Sequence, residues 1–141
     1  MEILELTTLT DQQTADLLDL MAQLNPKLQI TPKMLQDAAQ APSTHLFAAV
    51  EAGRIVGTAS LCVSFSPTGA KGGIEDVVVH SDFRGQHLGR WLIQHLIDYA
   101  KARLPHIVLH LTSRPEREAA NKLYQALGFQ PYETNVYKLP L

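Results

Sequence analysis

Apolar and polar side chains alternate over residues 3–7, the period of a half-buried strand. From Asp11 the period lengthens. Ala15, Leu18, Met21 and Ala22 recur at helical spacing and the pattern stops at Asn25-Pro26, which predicts a helix over 11–24. Thr31-Pro32 places a capping hydroxyl before a proline in the first helical position, so a short second helix should run to about Gln40. After Pro42-Ser43, residues 45–51 and 54–65 are strand-like and joined by Ala52-Gly53, a hairpin signal. Residues 66–73, with Pro67, Gly69, Gly72 and Gly73, read as a flexible loop. A β-branched run then reaches Val79, passes a polar turn and enters an apolar helix over 91–104. Residues 106–112 read as a buried strand, 115–127 as a helix stopped at Gly128, and 135–139 as a closing strand.

This order predicts an α/β (α+β) fold, a mixed and mostly antiparallel sheet flanked by helices, rather than a regular βαβ alternation. No linker, repeat or low-complexity segment divides the chain, so one domain over 1–141 is expected. Gly85 and Gly89 lack the third glycine of the dinucleotide-binding pattern, which disfavours a Rossmann domain.

Composition narrows the class. The 141 residues are 45% hydrophobic and 18% charged, ordinary for a globular chain. A formal charge of −2 gives no electrostatic case for nucleic acid, and no Lys/Arg block suggests a membrane surface. Cys62 is the single cysteine, so no internal disulfide forms and a reducing compartment is expected. Met1 is not followed by a basic then apolar leader, and no apolar run approaches a membrane span. The expectation is a soluble cytoplasmic enzyme or binding domain.

The chemistry concentrates between Ile74 and Arg90. Strand, turn and helix in succession aim free backbone N–H groups at one point, with the helix dipole behind them, a natural anion site. Arg84 and Arg90 suit phosphate geometry. Downstream, Asn121 and Tyr124 stand three residues apart, hence on one helix face, beside the apolar stripe of Ala120, Leu123 and Leu127. Glu75 and Asp76 interrupt an apolar strand. As neighbours they should point to opposite faces, so they are not expected to form a paired-carboxylate site. A buried carboxylate must be paired or functional, which leaves Glu75 a choice between an ion pair with Arg54 or Lys71 and a catalytic role. His80 and His110 are alternative bases. The histidines show no metal-ligand spacing with acids and Cys62 has no second sulfur, so no metal is expected.

Arg84-Gly85-Gln86-His87-Leu88-Gly89 resembles the phosphate motif (Gln/Arg-x-x-Gly-x-Gly/Ala) of the GNAT superfamily of acetyl-coenzyme A-dependent N-acetyltransferases, and Asn121, Tyr124, Gly128 and Phe129 resemble its later Asn…Tyr…Gly-Phe pattern. The likeness in element order spans nearly the whole chain. It implies a GNAT-like domain with acetyl-coenzyme A as co-substrate. The N–H groups of Gln86, His87, Leu88, Gly89 and Arg90 would surround the pyrophosphate, with Val77, Val78 and Val79 bonding pantetheine as an added strand. A backbone N–H near Val78 would stabilise the oxyanion. Tyr124 would protonate or stabilise the departing thiolate, Asn121 would bind coenzyme, and Glu75 would be the general base, directly or through water. His87 departs from the pattern, standing where the motif has its first glycine. At a helix start it is expected in right-handed helical geometry, where no glycine is needed and His87→Gly would cost stability. The acceptor implied is a primary amine, on a small molecule or a peptide. Ile74-Glu75-Asp76-Val77 faintly resembles glucosamine-6-phosphate N-acetyltransferases, and residues 112–118 and 66–73 are expected to border the acceptor. A homodimer stays open, as does a catalytically silent acyl-coenzyme A-binding module.

Overall fold

Threonine hydroxyls start the first two helices. In the computed structural model, which describes residues 1–141, β1 (Glu2–Leu6) leads to α1 (Asp11–Leu24) and α2 (Pro32–Gln40). Thr10 Oγ1 accepts from the Gln13 N–H at 3.1 Å while Gln13 Oε1 accepts from the Thr10 N–H at 3.0 Å, a reciprocal capping box. Thr31 Oγ1 accepts from the Met34 N–H at 3.2 Å, with Pro32 in the first turn. Both helices keep their expected bounds, but the stripe on α1 does not. Ala15 and Ala22 are exposed, and the buried face is Leu17, Leu20 and Met21. The larger side chains gain more from leaving water and decide which face turns inward.

The rest of this unit, residues 1–111, holds β2 (Thr44–Glu51), β3 (Arg54–Ser66), β4 (Gly69–Val79), α3 (Leu88–Arg103) and β5 (Val108–His110). The strands lie in the order β1-β2-β3-β4-β5, antiparallel throughout except for β4 with β5. Ala52 and Gly53, at φ 48° and 78°, form the two-residue turn that matches strand twist in a hairpin. Leu17, Leu20, Met21, Leu35 and Ala39 of the two early helices close over Leu46, Ala48, Ile55 and Val78 on one sheet face. The other face takes α3, where His95 and Tyr99 meet the Phe47 ring edge-on at 5.0 and 5.2 Å.

Three expectations about the type or extent of an element need correction in this unit. The flexible loop at 66–73 shrinks to the two-residue turn Pro67-Thr68 between β3 and β4, since Ser66 pairs directly with Gly69. Glycine in β4 serves close packing: a Cβ on Gly72 would stand 2.7 Å from Leu109 Cδ2 and 3.0 Å from Leu61 Cδ1. The expected strand over 106–112 shrinks to Val108–His110, an edge strand with Val108 and His110 exposed. The helix expected to begin at Trp91 begins at Leu88, which is buried and draws the first turn into the core.

Residues 112–141 form a second compact unit around α4 (Glu118–Ala126). Its end explains the Leu-Gly-Phe sequence. Gly128, at φ 102°, donates to Gln125 O at 3.1 Å, and Phe129 donates to Tyr124 O at 3.0 Å, the paired bonds of a Schellman cap. The closing strand expected at 135–139 is not formed, and residues 128–141 contain neither helix nor strand. A strand exists only against a partner, and this unit supplies none. No helix in the chain is long and apolar enough to cross a membrane.

Candidate functional site

The parallel pairing of β4 with β5 covers only Lys71↔Val108, Gly72↔Leu109 and Gly73↔His110. Beyond Gly73 the two strands part. β4 continues to Val79 with β3 on one edge and no strand on the other. The His80 N–H donates to Val56 O on β3 at 2.8 Å, so alternation turns Val78 toward β3 and turns the polar groups of Val77 and Val79 to the open edge.

A bulge sits in the middle of this edge. Val78 faces Thr58 and Glu75 faces Ser60, so Asp76 and Val77 together oppose Ala59, with Asp76 at φ 53°. Alternation therefore fails where the sequence placed two carboxylates on opposite faces, and Glu75 and Asp76 are both exposed. Glu75 is in neither of the ion pairs weighed for it. Lys71 is unpaired, and Arg54 Nη2 instead lies 2.9 Å from His80 Nε2. The Glu75 carboxylate leans over Gly73, its Oε1 3.3 Å from where a Cβ on that glycine would be. His110 Nε2 reaches the same point from β5 at 3.6 Å. Gly73 thus leaves open the gap that a carboxylate and an imidazole share.

Cys62 lies opposite Gly73 on β3. Burial pushes its thiol up. A hydrogen bond with the Thr44 side chain pulls the other way, and the negative charges of Glu75 and Asp76 push it up further. That environment favours the neutral thiol and argues against a nucleophile.

From Val79 the chain enters a single 3-10 turn, Ser81–Phe83, whose Asp82 N–H is accepted by His80 Nδ1 at 3.1 Å. Arg84 folds back, its Nε donating to Val79 O at 3.2 Å. Gly85 at φ 80° and His87 at φ 62°, ψ 21° then set the backbone into α3. This corrects the right-handed geometry expected at His87. The residue is left-handed, the region that favours glycine, and stands where the motif it resembles has one. The first helical bond runs from the Trp91 N–H to His87 O at 3.0 Å. No N–H from Gly85 to Arg90 donates to an acceptor in the protein, and His87 makes no side-chain cap. Six consecutive donors therefore stand at the positive end of the α3 dipole, with the side chains of Arg84, Gln86, His87 and Arg90 exposed around them. Leu88 is buried beneath them, and Gly89 is half-buried.

Within the second unit, Tyr124 is buried and its ring meets Phe129 edge-on at 6.3 Å. Asn121 Nδ2 donates to Arg114 O at 3.0 Å, fixing the loop that enters α4. Sequence reading missed the carboxylate–imidazole gap over Gly73 and the capping role of His80. The first depends on which residues of β4 and β5 fall opposite one another, which no local pattern encodes.

Residues 10–129 match a family model described as Acetyltransferase (GNAT) family. The glucosamine 6-phosphate N-acetyltransferase of Trypanosoma brucei brucei is 38% identical over 93 residues, which are 64% of this chain and 60% of that protein. The chain thus matches less than two thirds of this relative's length. A crystal structure of a Trypanosoma brucei acetyltransferase superposes with a TM-score of 0.76 at 28% identity, covering 99% of each chain. Glucosamine-6-phosphate N-acetyltransferase from Arabidopsis thaliana shares the fold, with a TM-score of 0.76 at 22% identity over 98% of this chain and 97% of that one.

Proposed function

Because this chain belongs to the GNAT acetyltransferase family, we propose that it moves an acetyl group from acetyl-coenzyme A to a primary amine, with both substrates bound together. The observation that carries this reading is the open edge of β4 running straight into six uncommitted N–H donors. Coenzyme A fits that arrangement, since its pyrophosphate suits the donor row and its pantetheine amides suit a strand edge. When bound it supplies a thioester, an activated acyl donor.

The chain's own groups divide the remaining work. The N–H groups of Gly85 to Arg90 hold the pyrophosphate, while Arg84 and Arg90 offset its charge. Val77 and Val79, rather than Val78, offer the polar groups that bond pantetheine. An N–H on the same edge stabilises negative charge growing on the thioester oxygen. Glu75 takes the proton from the acceptor ammonium, directly or through water, because only the free amine carries a lone pair to attack the carbonyl carbon. The C–N bond forms as the C–S bond breaks. Tyr124 is assigned the proton for the departing thiolate, with Asn121 on the coenzyme. Both assignments rest on the Asn…Tyr…Gly-Phe pattern. Holding the two substrates together makes the attack effectively intramolecular.

Glucosamine 6-phosphate, named in the Trypanosoma brucei brucei relative, is the first acceptor to try. Coenzyme A binding is measured by calorimetry, then thiol release from acetyl-coenzyme A is followed across amino sugars, amino acids and peptides. The expected result is binding, amine-dependent release, and a loss of about 10²–10⁴ in turnover for Glu75→Gln at unchanged coenzyme affinity. No heat of binding refutes the coenzyme reading. Full activity in Glu75→Gln refutes that base. Binding without release on any amine favours the silent acyl-coenzyme A module.

A further inference from the structure

His80 is one of only three buried polar residues in the chain and lies at the junction of β4 with the donor-rich turn. Its ring is held from both sides. Nε2 faces Asp19 Oδ2 of α1 at 3.3 Å and Arg54 Nη2 of β3 at 2.9 Å, while Nδ1 accepts the Asp82 N–H at 3.1 Å, with Asp82 Oδ2 3.7 Å away. Asp19 Oδ2 also accepts from Gln23 Nε2 at 3.0 Å, and Gln23 Oε1 accepts the Ser81 N–H at 2.9 Å. Two successive N–H groups of the turn are therefore captured by side chains that share Asp19. The His80 carbonyl accepts the Phe83 N–H at 2.9 Å, and the Phe83 ring stands edge-on to the imidazole at 6.2 Å.

We propose that His80 is the positioning residue of the anion-binding turn: its Nδ1 does the work of a capping carboxamide, fixing the angle at which the chain leaves β4 and thus where the donors from Gly85 to Arg90 point. The physical reason is that a row of backbone donors holds an anion well only if its direction is set beforehand. The N–H groups after Arg84 have no partner within the protein, so beyond the packing of Leu88 their direction is inherited from the turn that precedes them. Asp19 and Gln23 tie the same turn to α1, so the donors are referenced to the core through one buried imidazole. This role rests on the reading of the Arg84–Arg90 segment as a coenzyme site.

The test compares wild type, His80→Leu and His80→Asn in the full chain. Asn can place Oδ1 where Nδ1 stands and cap Asp82, since it is a favoured capping residue. Leu keeps bulk but accepts nothing. Hydrogen exchange of the Asp82 amide is measured without ligand, and coenzyme A affinity and turnover are measured separately. The expected result is Asp82 protection in wild type and His80→Asn but not in His80→Leu. Coenzyme affinity should fall about tenfold in His80→Leu, the net worth of a hydrogen bond, and hold within about threefold in His80→Asn. The KM for acetyl-coenzyme A should rise in parallel with the loss of affinity in His80→Leu and stay near the wild-type value in His80→Asn. Equal losses in the Asn and Leu variants, or identical Asp82 exchange in all, would overturn the proposal. Failure of wild type to bind coenzyme A sinks the coenzyme reading and the positioning role together. Intact binding with no His80 dependence sinks the positioning role alone.

Discussion

Replacing His87 with glycine should make the protein more stable, although the same change inside a helix would weaken it. His87 sits at φ 62°, outside the first turn of α3, its side chain exposed and without a capping bond. Left-handed geometry costs an L-residue about 1–2 kcal/mol, which glycine avoids. Against this, glycine gives up about 0.5–1 kcal/mol more backbone entropy on folding than alanine does. With no hydrogen bond or buried surface lost, the balance favours His87→Gly by about 0.5–1 kcal/mol. For a chain of this size that is a rise of about 2–3 °C in melting temperature. Equilibrium denaturation without ligand should show a higher midpoint at unchanged slope. His87→Val should move the other way, since a β-branched residue fits this region worst. A glycine variant less stable than wild type, or a valine variant equal to it, would refute the left-handed assignment.

Gly72→Ala should destabilise by about 1–3 kcal/mol, because its Cβ meets Leu109, Leu61 and Ile107 side chains in a packed layer; a denaturation midpoint matching wild type would refute that crowding. Cys62 should alkylate slowly near neutral pH, since only thiolate reacts and its protonated form is favoured first by burial. Thr44→Val removes the one influence that lowers its pKa and should slow alkylation further, whereas Glu75→Gln removes one that raises it and should speed alkylation. Rate–pH profiles shifted in the opposite directions would contradict the placement of Thr44 and Glu75 around the thiol.

Local chemistry made the early helices and hairpin legible. Thr10 and Thr31 are caps whose partners lie three residues away, and Ala52-Gly53 closes its own turn. The turn at residues 84–90 was legible for the same reason, since strand end, glycine and helix start are adjacent in sequence. What sequence reading missed depends on distant contacts. Gly72 looks like punctuation until Leu61 and Leu109 are seen to fill the space a side chain would need. The bulge at Asp76 arises from register against Ser60 and Thr58, and it moves both carboxylates to the surface against the two-residue period. His87 was misread because it caps α3 in left-handed geometry instead of joining the helix start, and that reverses the sign of a mutation. The expected strand at 135–139 had the right residue types, but propensity without a neighbour forms no ladder.

The parting of β4 from β5 also bears on aggregation. Unpaired strand edges template the addition of other chains, and a half-sheet edge lined by valines is the kind that does so indiscriminately. Here the exposed stretch is short, kinked at Asp76 and flanked by two carboxylates, each a device that discourages a flat, extended strand from docking. A narrow ligand with two or three amides can use Val77 and Val79 without meeting the kink, whereas another protein strand would have to follow it. The acidic pair on β4 therefore guards the edge, a role separate from the one proposed for Glu75. Neutralising both carboxylates would expose a sticky margin whose clumping could pass for lost catalysis.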